Sequence, residues 1–338
     1  MPDPRPPERR AIWTWALPTL LAAVLLYFSL RGIDWGQVWQ YIAHAQWRWL
    51  AAAALVMSTS SLLRALRWRV LLNAEASLDV LTVFWATMAG NLGNAFLPAR
   101  GGELVRTFII SSQSLLTRTY VLTTALSQLM MDAIALVLWS GVLLLRIHPK
   151  PALLDHLSQA LVVGAAGGLL AVIILPHTDR LCEVVIRRLP LPPGLRDKLL
   201  GLAEQILLGL KAFHSVPRFL TFAAYTALIW SLDAWTVVLA ARALDLDFAF
   251  AVGALLICGL GLGSAVPSAP GALGISQFVA VSVLVPFGVS KDGAIALSLV
   301  QLALAYAIWL AFGLPGLYRF KGWRTAIAET PAKQAHTA

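Results

Sequence analysis

Apolar runs that approach or reach bilayer-spanning length recur along this chain, at 11–30, 49–63, 79–97, 119–145, 157–176, 219–241, 248–266, 272–288 and 294–317. A helix needs about 20 apolar residues to cross a hydrocarbon core roughly 30 Å thick. Within lipid, only structures that satisfy every backbone donor and acceptor internally can span. The repetition therefore specifies an all-α polytopic membrane protein. Composition agrees: 13% of residues are charged, where about 25% is usual for soluble domains, and the mean hydropathy is +0.74. The first run is expected to remain as a span, because no small-residue cleavage pattern follows it.

The same premise removes several function classes. A net charge of +9 could suggest nucleic acid, but basic residues flanking spans report orientation and contact with anionic lipid. No nucleic-acid partner is expected. Cys182 and Cys258 lie in unlike surroundings and give neither a metal spacing nor a disulfide framework. The six histidines, His44, His148, His156, His177, His214 and His336, fall at or near span ends without a metal pattern. GLGLGSA (259–265) lies inside an apolar run, without the strand and helix context of a nucleotide loop. No metal, cofactor or catalytic residue is expected.

Orientation raises a problem that simple counting does not solve. Arg5, Arg9 and Arg10 place the N-terminus, a tail of residues 1–11, in the cytoplasm. Span one (about 12–30) leads out to 31–47, whose Trp35, Trp39 and Trp47 suit an interfacial helix, and span two (about 48–66) returns to RALRWR. A full span at 79–97 would then push the largest cationic cluster, in 177–217, to the outside. Two re-entrant hairpins, at 79–115 and 248–290, resolve the conflict. Six full spans remain, both termini face the cytoplasm, and 177–217 becomes a cytoplasmic linker. Only Arg31, Arg48, Arg146, Lys150, Arg242 and Lys291 then lie outside, against the other 20 of 26 basic residues. The alternative is an ordinary kinked span.

Both hairpins carry helix breaks. Residues 92–101 read LGNAFLPARG and 262–271 read LGSAVPSAPG, sharing five of ten residues at an offset of 170. Pro98, Gly101 and Gly102 mark the first break; Pro267, Pro270, Gly271 and Gly274 mark the second. The halves (about 12–147 and 151–320, followed by a tail at 321–338) thus read as an inverted repeat, and interrupted segments at matching positions point to a transport site.

Charges within spans are costly and usually functional. Asp132 and Asp233 fall mid-span, with Arg100, Arg106 and Arg64 as candidate partners; each aspartate reads either as a static pair or as a transport and gating group. Arg67 and Arg69 read as topology and headgroup anchors. Arg100, Glu103 and Arg106 have i, i+3, i+6 spacing, which predicts one face of a short helix. Their guanidinium donors suit a lipid phosphate, with Asn91 and Asn94 adding uncharged donors. Gln277 and Gln301 offer only amides.

RALRWRVLL (64–72), N(x)6PARGGELVR (91–106), Asp132 and PSAPGALGISQF (267–278) resemble the lysylphosphatidylglycerol synthase transmembrane-region family, a flippase-like group that includes hopanoid-associated membrane proteins. The resemblance covers about 10–320. It implies movement of a lipid or lipid-linked molecule between leaflets of the bacterial inner membrane, without the soluble aminoacyl-transferase domain. Its partners would be membrane lipids, with a lipid-modifying enzyme or a homo-oligomer as further candidates. The rivals are an ion-coupled transporter of a small solute and an accessory subunit of a lipid-modifying enzyme. Relatives often carry glutamate where Gln277 stands, which weakens a proton or cation role there.

Overall fold

The structure, a computed structural model, describes residues 22–97, 100–146, 215–264 and 273–320, with residue 20 and scattered positions between 163 and 213. Within them the chain is helical: 22–30, then α1 (Trp35–Ala43), α2 (Trp47–Leu72), α3 (Val80–Phe96), α4 (Gly102–Ser112), α5 (Arg118–Arg146), α6 (Val216–Ala243), α7 (Phe250–Gly263), α8 (Ile275–Leu284) and α9 (Lys291–Arg319). Both tails, the first half of span one, most of the run at 157–176 and most of the linker at 177–217 lie outside the described residues.

Four helices, α2, α5, α6 and α9, are long and apolar enough to cross a membrane. They fall where spans were expected. At 1.5 Å per residue their 26–29 residues reach about 40 Å, whereas the 10–17 residues of α3, α4, α7 and α8 cover only about 15–26 Å. Among the described residues, α2 to α5 run long, short, short, long, and α6 to α9 do the same. The chain is a multi-pass membrane protein.

Side chains set the helix boundaries. Asp34 caps α1 by accepting from the Gly36 and Gln37 amides, and Asp79 caps α3 through the Leu81 and Thr82 amides at 3.0 and 3.3 Å. Inside the long helices, hydroxyls bond back one turn: Ser58 to the Ala54 carbonyl, Ser140 to Leu136 and Thr226 to Phe222. Each hydroxyl thus meets lipid or protein with its donor already engaged.

The chain forms two compact units, each drawing on both sequence halves. Unit one comprises residues 1–59, 91–102 and 230–311; unit two comprises 60–90, 103–229 and 312–338. The core of unit one gathers Val38, Ala53, Val237, Leu244, Leu256, Leu284, Ile295 and Leu297. In it α7 and α8 run antiparallel: a Cβ on Gly259 would lie 2.7 Å from Val279, and one on Gly263 would lie 2.8 Å from Ile275. Two glycines one turn apart on the same face therefore let the helices close. At the start of α8, Gly274 adopts φ +88°, and an added Cβ would reach the Ala22 carbonyl oxygen at 2.6 Å. Only glycine fits there. Unit two packs Ala65, Trp68, Leu72, Val83, Ala86, Val105, Ile109 and Val121, with Leu71, Met131, Phe213 and Phe222 as a neighbouring cluster.

Candidate functional site

In unit one, the chain leaves α3 at Phe96 and reaches Arg100, which adopts a left-handed φ of +56°. Glycine and asparagine visit this region readily and arginine does not, so the conformation is held by its surroundings. Those surroundings are the second helix break. Arg100 Nη2 donates to the Ser264 carbonyl at 3.2 Å and to Ser264 Oγ at 2.7 Å, at the C-terminal end of α7. The carbonyls there lack intrahelical partners and carry the negative end of the helix dipole, which a guanidinium complements. In the 170-residue offset Ser264 is the counterpart of Asn94, so the two repeat-related breaks meet directly. Both bonds use Nη2; within the described residues Nη1 and Nε make none.

The first break is also held from α9. The Tyr306 hydroxyl donates to the Ala95 carbonyl at 3.4 Å, and Phe96 packs edge-on against the Tyr306 ring, which in turn contacts Trp309. Neither Tyr306 nor Trp309 was singled out from sequence. Tyr306 and Trp309 read as ordinary aromatic residues of an apolar span, and only the fold brings Tyr306 to the break.

The expected single face of Arg100, Glu103 and Arg106 is not formed. Helix α4 begins at Gly102, so Arg100 precedes it and turns to Ser264 instead. Glu103 and Arg106 pair with each other across one turn. Nor do the glycines of this break supply its left-handed residue: Gly101 and Gly102 have ordinary backbones, and Arg100 takes the positive φ. In the second break Gly274 does so, as the sequence suggested. Pro98, Pro267, Pro270 and Gly271 lie outside the described residues.

Unit two holds two buried guanidiniums, those of Arg67 and Arg106. Arg67, 2% exposed, binds Asp132 through two parallel bonds, Nη1–Oδ1 at 2.6 Å and Nη2–Oδ2 at 2.8 Å. Nη1 also donates to Thr226 Oγ1 at 3.0 Å, and the cation lies 4.9 Å from the centre of the Phe222 ring. This corrects two sequence expectations. Asp132 is paired with Arg67, which was not among its candidate partners, and Arg67 is no headgroup anchor. The reason is helix length. Helix α2 continues to Leu72 instead of ending near 66, which carries Arg67 inside the packed body. The signal was available in Ala65, Trp68, Leu71 and Leu72, whose spacing marks a buried stripe around it.

The Arg106 guanidinium lies 4.4 Å from the Trp68 ring centre, and Trp68 Nε1 donates to Thr124 Oγ1. Arg106 is 8% exposed. The Nε groups of both Arg67 and Arg106 have no hydrogen-bond partner among the described residues. Arginine stacked on indole and paired with one carboxylate is stable in a low-dielectric interior while retaining a donor.

Gln277 is buried, and its Oε1 accepts from the Gly274 amide at 2.8 Å and from Ser276 Oγ at 3.1 Å, so it caps α8. Asn91 and Asn94 line the last turns of α3, Gln301 lies on α9 and Asp233 on α6, all half-buried in unit one; Arg64 is half-buried in unit two. Chemically, the site offers a strained arginine between two helix ends in an apolar body.

A family model described as the lysylphosphatidylglycerol synthase TM region matches residues 15–313. No curated protein and no solved structure matches the chain.

Proposed function

Because the chain belongs to the lysylphosphatidylglycerol synthase TM-region family, a family tied to lipid biology, we propose that it is a flippase, carrying a lipid or lipid-linked molecule between leaflets of the bacterial inner membrane. It acts as a transporter and not as an enzyme. The observation that carries this reading is Arg100: a cation in a costly backbone conformation, with guanidinium donors to spare, where two helix breaks converge. Binding sites in transporters built from inverted repeats form at such breaks. An anionic headgroup accepts the free donors in the bidentate manner of arginine, while its chains remain in lipid.

The short helix pairs α3/α4 and α7/α8 support two opposed re-entrant hairpins, and the repeated long–short–short–long order supports two related halves; the basic flanks of the sequence favour both termini in the cytoplasm. Asp132 is neutralised by its own arginine, which disfavours an ion-coupled solute transporter that would need it free. The family description, the membrane part of a synthase, keeps one second reading in play: a scaffold for a lipid-modifying enzyme.

The test is leaflet exchange in proteoliposomes that contain a fluorescent phospholipid quenched by an impermeant reductant. Intact protein raises the fraction of label reduced above one half. Arg100→Ala lowers the exchange rate at least ten-fold, and Arg100→Lys does not restore it. Intact protein without exchange activity sinks the flippase reading and leaves the scaffold.

A further inference from the structure

A cleft of about 350 Å³ opens in unit one between α1 and the turn that follows α6, lined by Gln37, Gln40, Tyr41, His44, Leu244 and Asp245. Its volume lies at the lower end of the roughly 300–1,000 Å³ found for small-ligand clefts. Five of the six lining side chains are polar, in a chain dominated by apolar ones.

The walls are pinned together by bonds that do not use up the cleft's polar groups. The Gln46 amide donates to the Ala243 carbonyl at 2.8 Å, and Gln46 Nε2 donates to Asp245 Oδ1 at 2.8 Å. Asp245 itself takes a left-handed φ of +53°, while the Leu246 amide closes the turn onto Ala241. His44 Nδ1 lies 2.9 Å from the Gln40 carbonyl. A carbonyl can only accept, so Nδ1 carries the proton and Nε2 of the neutral ring is an acceptor. The side-chain amides of Gln37 and Gln40 make no hydrogen bond among the described residues, and Asp245 Oδ2 likewise makes none. Tyr41 shares its hydroxyl with Ser290.

The inventory is two amides, an imidazole acceptor, a phenol and a carboxylate, over an apolar floor at Leu244. No Lys or Arg lines it, so it repels phosphate. An ammonium group would find the one free oxygen of Asp245 but no second carboxylate in the lining. Alternating donors and acceptors without a cation match a group that both gives and takes hydrogen bonds at every atom. We propose that this cleft binds a neutral polyhydroxyl group, such as a sugar ring. Trp35, Trp39 and Trp47 are 54%, 67% and 75% exposed on the same stretch of chain. Exposed tryptophans mark the membrane–water boundary, so the polyol is either free in solution or the headgroup of a lipid.

The proposal stands apart from the flippase reading, and the experiment keeps them separate. The full chain is placed in phosphatidylcholine nanodiscs. Free glucose is offered by equilibrium dialysis, a monoglucosyl diacylglycerol by titration into the discs with a thermal-shift readout, and inorganic phosphate as the anionic control. Binding of glucose assigns a free polyol; binding of the glycolipid alone assigns a lipid headgroup. In either case Gln37→Ala with His44→Ala weakens binding at least ten-fold, and Asp245→Asn, which preserves the oxygen that receives Gln46, weakens it several-fold. Arg100→Ala leaves it unchanged. The proposal is overturned if neither polyol binds, if phosphate binds in their place, or if the Gln37→Ala, His44→Ala protein retains full affinity. Neither of those two side chains bonds another element, so the variants keep the fold.

Discussion

Removing one partner of a buried ion pair leaves the other charge stranded, at about 3–5 kcal/mol. Arg67→Ala is therefore expected to destabilise the protein by about that much, read as a lowered midpoint in denaturant titration of detergent-solubilised protein. The double replacement Arg67→Met, Asp132→Leu removes both charges and leaves stability near or above the starting value. If the double variant still exchanges lipid, Asp132 is a structural partner; if it folds but has lost exchange, the pair takes part in transport. Trp68→Phe keeps an aromatic face for Arg106 but loses the Thr124 bond, which costs about 1 kcal/mol in the same measurement. At this scale the sequence was only partly legible. It drew attention to Asp132 and Arg100, because a charge in an apolar run is conspicuous. It did not give the partners, because pairing Arg67 with Asp132 across 65 positions depends on packing that no local pattern encodes.

At the level of elements, legibility was high. The spans expected at 48–66, 119–145, 219–241 and 294–317 are α2, α5, α6 and α9, because hydropathy over 20 residues is what decides membrane helices. The interrupted segments were also visible, through their glycines. The α2 terminus was missed: three arginines within six residues look like a span end, yet Arg67 has a carboxylate to neutralise it. The breaks themselves can be tested by comparing two glycines. Gly274 and Gly288 share φ +88°, but only at Gly274 would a Cβ meet backbone, at 2.6 Å; at Gly288 nothing lies within 4 Å. Both alanine variants bear the backbone strain of about 1–3 kcal/mol. Gly274→Ala adds the clash with Ala22, so its Tm falls further in a thermal scan, and the gap between the two reports the close approach alone.

For the whole molecule, charge counting led to one expected topology, and α4, α7 and α8, at 10–14 residues, are shorter than a span needs. The two compact units were not legible, because their contacts join residues from both halves of the chain. Side-specific labelling tests the topology. In a background of Cys182→Ser and Cys258→Ser, Ser77→Cys and Ser112→Cys flank α3 and α4 at exposed positions. An impermeant maleimide is expected to modify both from the cytoplasmic face of inside-out vesicles and neither from intact cells. Labelling of one position from each face rejects re-entry.

The backbone at Arg100 sets durability against performance. Arg100→Gly would relax the left-handed angle and harden the fold, while discarding the cation that reaches the end of α7. A screen for heat-resistant variants should therefore enrich glycine at this codon, and the survivors should be robust proteins that no longer carry cargo.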